Sequence, residues 1–170
     1  KSKPTQHSVK ELLGLGIQPD IIVCRADRPI GDGIRGKIAQ FCNVAPECVI
    51  ENISAPSLYS VPLMLEENGL CRAVTRRLGL EEREPQLDQW RDMVARELHP
   101  EKSCRIAIVG KYVELQDAYL SISEALHHAG AALSCAVETN YISAEKVTDE
   151  NAGTLLENAD GVIIPGGFGP

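Results

Sequence analysis

The residues best suited to chemistry stand at the start of the chain. Lys1-Ser2-Lys3-Pro4-Thr5-Gln6-His7-Ser8 puts two lysines, hydroxyls and an amide directly before an apolar stripe begun by Val9, Leu12 and Leu13. Ser8 and Glu11 have the spacing of a capping box, so the sequence predicts a helix from about Ser8, with the polar cluster on the loop that feeds it. Unpaired backbone N–H groups and the positive end of the helix dipole collect there, and anions bind there. Two ammonium groups suit a polyphosphate better than a carboxylate, and the Gln6 amide offers a base or sugar both a donor and an acceptor. A solvated, basic, capped helix entrance is the plainer reading of the same residues, and composition leaves both open.

Three further stretches could take part in a site. Lys37 lies on a predicted helix but off its apolar stripe, free either to face a ligand or to be an ordinary exposed lysine. Pro165-Gly166-Gly167-Phe168-Gly169 follows the apolar run 160–164, and glycines after a strand allow positive φ and close approach of a substrate. A backbone N–H presented there could hold an oxyanion in acyl transfer. Gly110-Lys111-Tyr112 also follows a strand, but it lacks the preceding glycine and following Ser or Thr of a phosphate loop.

The elements that must carry these residues alternate between strand and helix. Residues 20–24 (Asp-Ile-Ile-Val-Cys) form a continuous apolar run, expected of a buried parallel strand. Arg25, Asp27, Arg28 and a loop with Gly31 and Gly33 follow at its carboxyl end, the end where open α/β sheets bind ligands. Ile34, Ile38 and Phe41 predict an amphipathic helix. A short strand at 48–50, a polar loop at 51–57, apolar helical spacing at 58–65 and a last helix at 72–78 complete a first half. Residues 79–86 are charged, contain Pro85 and lack an apolar period, which marks a linker. Leu87, Trp90, Met93, Val94 and Leu98 then mark a helix stopped at His99-Pro100. A second α/β unit begins near 103: a strand at 104–109, a helix capped by Asp117 and stopped by Gly130, an alternating outer strand at 134–141, a short helix capped by Thr148 or Asp149, and a strand at 160–164. The expected organisation is 1–78 as the end of one domain, 79–102 as a linker with a helix, and 103–170 as the start of another, with parallel sheets built from right-handed βαβ units.

Bulk composition narrows the partners. The 17 basic and 24 acidic residues give a net charge of −7, against a general nucleic-acid or anionic-membrane binder. No apolar run approaches the roughly 20 residues needed to span a bilayer. The six cysteines form no CxxC pair and read as reduced, buried thiols of a cytoplasmic protein rather than zinc ligands or a disulfide framework. Residue 1 falls inside a functional loop and residue 170 inside a glycine turn, so the chain is expected to be an internal piece of a longer protein.

The wording of six stretches carries a resemblance. Residues 1–12, 19–25 (Pro-Asp-Ile-Ile-Val-Cys-Arg), 37–44 (Lys-Ile-Ala-Gln-Phe-Cys-Asn-Val), 58–62, 110–119 and 165–169 resemble, in this order, segments of the CTP synthase family. That resemblance implies a fold: the end of a P-loop-type amidoligase domain, then the start of a flavodoxin-like class I glutamine amidotransferase domain, each a three-layer α/β structure with a parallel sheet. It implies amination of UTP to CTP, with ATP, Mg²⁺ and ammonia from glutamine, activation by GTP, and a homotetramer with nucleotide sites across subunits. It assigns Lys1, Ser2, Lys3, Pro4, Thr5, Gln6 and Lys37 to UTP or to CTP as feedback inhibitor. Ile53, Ser54 and Ala55 go to the ATP adenine, Gly166 and Gly167 to an oxyanion hole, and Gly167 to glutamine. The nucleophilic cysteine, its partners, the phosphate loop and the Mg²⁺ ligands fall outside these residues, so the 170-residue chain alone is expected to show neither synthase nor glutaminase activity. Two departures stand out: residues 29–36 are richer in glycine than the acidic segment expected there, and 53–55 lacks an acidic residue. Another amidoligase fused to a glutaminase, of the cobyrinic-acid amidating type, and a non-catalytic nucleotide-sensing homologue remain as rivals.

Overall fold

The computed structural model describes residues 2–166, with Gln116 described by its backbone alone. Two compact units make up the chain, one ending at Arg91 and the other beginning at Asp92. The division falls inside a helix.

The first unit is a small three-layer sandwich. Strands β1 (Ile22–Ala26) and β2 (Val49–Ile53) pair in parallel, from Ile22 opposite Val49 to Ala26 opposite Ile53. Helices α1 (Lys3–Gly14) and α2 (Gly31–Cys42) cover one face, where Val9, Ile22, Cys24, Ile38, Ala39, Cys42 and Val49 form a buried cluster. Helices α3 (Val61–Glu67) and α4 (Leu70–Arg77) cover the other, through Leu65, Leu70 and Ala73 packed around Cys48 and Ile50. β1 is buried on one side only, since Val23 is half exposed, so the expectation of a strand buried on both faces does not hold.

Local chemistry moves several boundaries. α1 starts five residues before Ser8, with Ser2 as N-cap and Pro4 in the first turn. Proline is pre-set for that position, and its missing N–H costs nothing there. The polar cluster is therefore the first turn of the helix and not a loop before it. α1 closes in a Schellman motif, with Ile17 N–H to Leu12 O at 3.2 Å and Gly16 N–H to Leu13 O at 2.9 Å, and Gly16 takes a φ of 80°. The glycine-rich stretch expected as a loop belongs to α2 from Gly31 onward. The core stripe of α2 runs Ile34, Ile38 and Cys42, while Phe41 is 66% exposed. Strand β2 continues through Glu51 to Ile53, where a polar loop was expected.

Helix α5 (Asp88–Leu98) follows the irregular stretch 80–87. Within the first unit, the Trp90 indole N–H donates to Tyr59 O at 2.7 Å. Within the second, Arg96 Nε donates to Ala131 O at 2.9 Å and Val94 is buried.

The second unit holds β3 (Lys102–Gly110), α6 (Leu120–Leu133), β4 (Cys135–Ser143), α7 (Ala152–Leu156) and β5 (Gly161–Ile163). The described sheet is all parallel in the order β4-β3-β5, with β4 at an edge as its alternation predicts. Asp117 is not the cap of α6, since a 3-10 turn at Gln116–Tyr119 precedes the helix. Nor does Gly130 stop it. The helix runs to Leu133 and ends on Ser134, with φ 50°. A Cβ at Gly130 would lie 2.5 Å from Cys135 O, so this glycine lets the helix approach β4 closely. Asn151, rather than Thr148 or Asp149, precedes α7.

Candidate functional site

Open α/β sheets bind ligands at the carboxyl ends of their strands, and the candidate residues gather at that edge of each sheet or on the helices beside it. In the first unit, Arg25 on β1, Asp27 just after it and Ser54 just after β2 form a polar group. Arg25 Nη2 donates to Ser54 Oγ at 3.1 Å, and Ser54 Oγ donates to Asp27 Oδ1 at 3.4 Å. Ile53 ends β2 and is partly buried, as is Ala55, while Ser54 is exposed. The three residues assigned to adenine thus form a strand end with one exposed hydroxyl between two apolar neighbours.

The residues assigned to the pyrimidine nucleotide lie on α1 and α2, which pack on the same face of the sheet. Gln6 Nε2 donates to Ser2 Oγ at 3.0 Å, fixing the first turn of α1. Lys3 and Pro4 are exposed, and Thr5 is partly buried. Lys37 is exposed, on the side of α2 away from Ile38 and Cys42. No ion pair engages Lys3 or Lys37 among the described residues, so both ammonium groups stand open to an anion. No side-chain hydrogen bond joins Lys37 to the Ser2–Gln6 turn among those residues. Lys1 lies outside the described residues.

In the second unit, β3 lies between β4 and β5, so the chain leaves β3 to one side and later returns to the other. That reversal makes a topological switch point at the carboxyl end of β3. Gly110-Lys111-Tyr112 leaves β3 there, and Pro165-Gly166 leaves the neighbouring β5, which pairs with β3 as far as Ile163 opposite Ile108. Tyr119 shapes the turn: its hydroxyl accepts the Tyr112 N–H at 3.1 Å, and its ring stacks on Tyr141 at 6.4 Å. A Cβ at residue 110 would overlap the Tyr119 hydroxyl, so the glycine and the tyrosine require each other. Gly166 is exposed; Gly167, assigned to glutamine and the oxyanion, lies outside the described residues.

Two sequence-family models match the chain in tandem. One described as CTP synthase N-terminus matches residues 1–80, and one described as glutamine amidotransferase class-I matches residues 114–170. The chain is 52% identical over 169 residues to the CTP synthase of Synechococcus sp. strain JA-2-3B'a(2-13), covering 99% of this chain and 31% of that protein. It is 53% identical over 175 residues to the CTP synthase of Methanocaldococcus jannaschii (99% and 32%), and 48% identical over 169 residues to that of Ruminiclostridium cellulolyticum (99% and 32%). Over nearly its whole length the chain is similar to CTP synthases. It spans about a third of the length of these curated relatives. These matches favour the CTP synthase reading over the cobyrinic-acid amidating rival.

Sequence reasoning missed Glu51 and Arg35. Glu51 lies within β2 on the face of Val49, and its side chain is only 13% exposed. Its carboxylate accepts from Ile30 N–H at 3.1 Å and from Arg35 Nη2 at 3.5 Å. The signal was available: a carboxylate sharing strand parity with a core valine must find partners, because burying it unpaired is costly. The cysteines are all free. Cys24, Cys42 and Cys48 are buried as expected, whereas Cys71, Cys104 and Cys135 are only partly so. Burial pushes the Cys24 thiol up, helped by Cys42 and Glu51 nearby, and burial alone pushes up Cys42. Both are held as inert thiols. Among the described residues no helix is long and apolar enough to cross a membrane.

Proposed function

We propose that the protein carrying this chain converts UTP to CTP, using ATP and ammonia drawn from glutamine. The observation that carries the proposal is the tandem match of a CTP synthase N-terminus and a class-I glutamine amidotransferase model, with identity near one half across 99% of the chain. Lys3 and Lys37 supply cationic charge to the UTP triphosphate, and CTP binds the same wall as an inhibitor. The first turn of α1 adds backbone N–H groups and the positive helix end, a natural anion seat. Gln6, braced by Ser2, presents its amide to the nucleotide. Ile53, Ser54 and Ala55 pack on the ATP adenine, leaving the phosphates to other parts of the protein.

In the second unit, Gly166 and Gly167 present backbone N–H groups to the oxyanion formed when the glutamine amide is attacked. ATP would activate the uracil oxygen as a phosphate ester, which ammonia then displaces. Mg²⁺ supplies charge neutralisation on the phosphates when bound. By family resemblance the Mg²⁺ ligands would come from other parts of the protein. A cytoplasmic homotetramer regulated by GTP completes the reading.

The test is UTP kinetics in the protein that carries this chain. Charge-assisted bonds contribute about 1.5–3 kcal/mol each, so Lys3→Ala and Lys37→Ala should each raise the UTP KM by at least about tenfold. Glutaminase activity without UTP should not change. An unaltered UTP KM in both variants would overturn the assignment.

A further inference from the structure

Helix α2 is poorly equipped to start itself. Gly31, Gly33 and Gly36 fall in its first six residues, and its N-cap, Ile30, has no side chain that can cap. Glycine is the poorest helix former after proline. The start is supplied from the strand instead. Glu51 reaches from β2 to accept the Ile30 N–H at 3.1 Å, placing a carboxylate at the positive end of the helix. The same oxygen accepts from Arg35, one turn further along α2. Arg35 Nε is buried and finds no partner among the described residues, so within the protein its guanidinium is held through the bond from Nη2 to Glu51. A separate bond lies on the far side: the backbone carbonyl oxygen of Glu51, not its carboxylate, accepts from Asn68 Nδ2 at 3.4 Å, just past α3.

We propose that Glu51 is a positioning residue. It sets the first turns of α2, and so the place of Lys37, while its own strand ends two residues later in Ile53-Ser54-Ala55. One carboxylate thereby ties the wall proposed for UTP to the wall proposed for ATP. The proposal rests on the reading of Lys37 as a UTP contact.

The experiment compares Glu51→Ala, Glu51→Gln, Asn68→Ala and Lys37→Ala in the protein that carries this chain. Losing a helix cap of this kind corresponds to about a fivefold change, so Glu51→Ala should raise the UTP KM about fivefold with kcat retained. The ATP KM should move in the same direction. Glu51→Gln keeps an acceptor for Ile30 N–H and should fall between wild type and Glu51→Ala; it carries the test if the alanine variant does not fold. Backbone amide exchange over residues 30–36 should quicken in the same order. Asn68→Ala removes a bond to the same strand residue without touching α2, and should leave the UTP KM and that exchange unchanged. The proposal is overturned if exchange in α2 is indifferent to Glu51. It is also overturned if exchange quickens and the UTP KM stays put while Lys37→Ala raises it. If Lys37→Ala itself leaves the UTP KM unchanged, the assignment of Lys37 is what fails.

Discussion

At the carboxyl end of β1 and β2 the groups offered to a ligand are side chains: Arg25, Asp27 and Ser54, with Lys3 and Lys37 on the flanking helices. At the same end of β3 and β5 they are glycine, backbone and aromatic ring, built around Gly110, Tyr119 and Pro165-Gly166. Both edges come from parallel strands with crossover helices. On the proposed function, the difference follows from what each would recognise. A polyphosphate is held by cations, which long side chains supply at a distance. A single developing oxyanion needs N–H groups at fixed positions, which only backbone brought close by small residues can offer. The first edge should therefore tolerate changes in shape and fail on changes in charge, and the second should do the reverse.

The largest effects should separate the two units. Ile38 is 2% exposed, between α2 and the first sheet, and Ile108 is fully buried in the second. Truncating either to Ala should cost about 2–5 kcal/mol. Trp90, the single tryptophan, packs against Tyr59 in the first unit, so its fluorescence in urea should report Ile38→Ala. Amide exchange in β3 should report Ile108→Ala. If either substitution moved both readouts equally, the contrast between independent units would break.

A sharper probe is Gly110→Ala. The added Cβ would overlap the Tyr119 ring and hydroxyl, and overpacking of this kind costs about 1–3 kcal/mol. Tyr119→Phe in the same background should recover part of that loss by removing the overlapping oxygen, at the cost of the bond from Tyr112 N–H. Thermal unfolding followed by exchange in β3 would check both variants. A Gly110→Ala protein as stable as the wild type would show that backbone closeness does not define this edge.

Much of this layout is legible in the sequence, for identifiable reasons. The apolar runs at 104–109 and 160–164, the alternation along 134–141 and the His99-Pro100 stop each correspond to one element, because strand burial and proline act locally. Where a residue has two uses, the sequence misleads. Ser8 and Glu11 have capping-box spacing, but Pro4 offers an earlier start and takes it. Gly130 reads as a stop when considered along the helix, yet its purpose is the approach of β4, a tertiary fact with no local mark. The start of α2 is the clearest case. Three glycines imply a loop, and the carboxylate that makes a helix of them lies sixteen residues beyond Arg35, on another element. Among the candidate site residues, Lys3 and Lys37 can be nominated from types and wording alone, while Glu51 emerges only once strand parity is known.

The smallest predicted effect concerns pH and again sets the units against each other. In the first unit two thiols, Cys24 and Cys42, are pushed above the ordinary value of 9.0, chiefly by burial. In the second, Cys104 is shifted the same way, by burial and then by a side-chain hydrogen bond with Cys135. Below about pH 9 these groups are protonated whether the chain is folded or not, and contribute no pH dependence. Above it the unfolded chain releases protons that the folded chain keeps. The unfolded state then binds fewer protons, and stability falls as pH rises through the window above 9. Cys24 and Cys42 together should make the first unit lose stability over this window. Urea midpoints from Trp90 fluorescence at pH 8 and pH 10, beside exchange in β3 at the same two values, would measure both slopes. Cys24→Ala should flatten the first and leave the second untouched; a first slope that Cys24→Ala leaves unchanged would mean that burial of Cys24 does not control its titration.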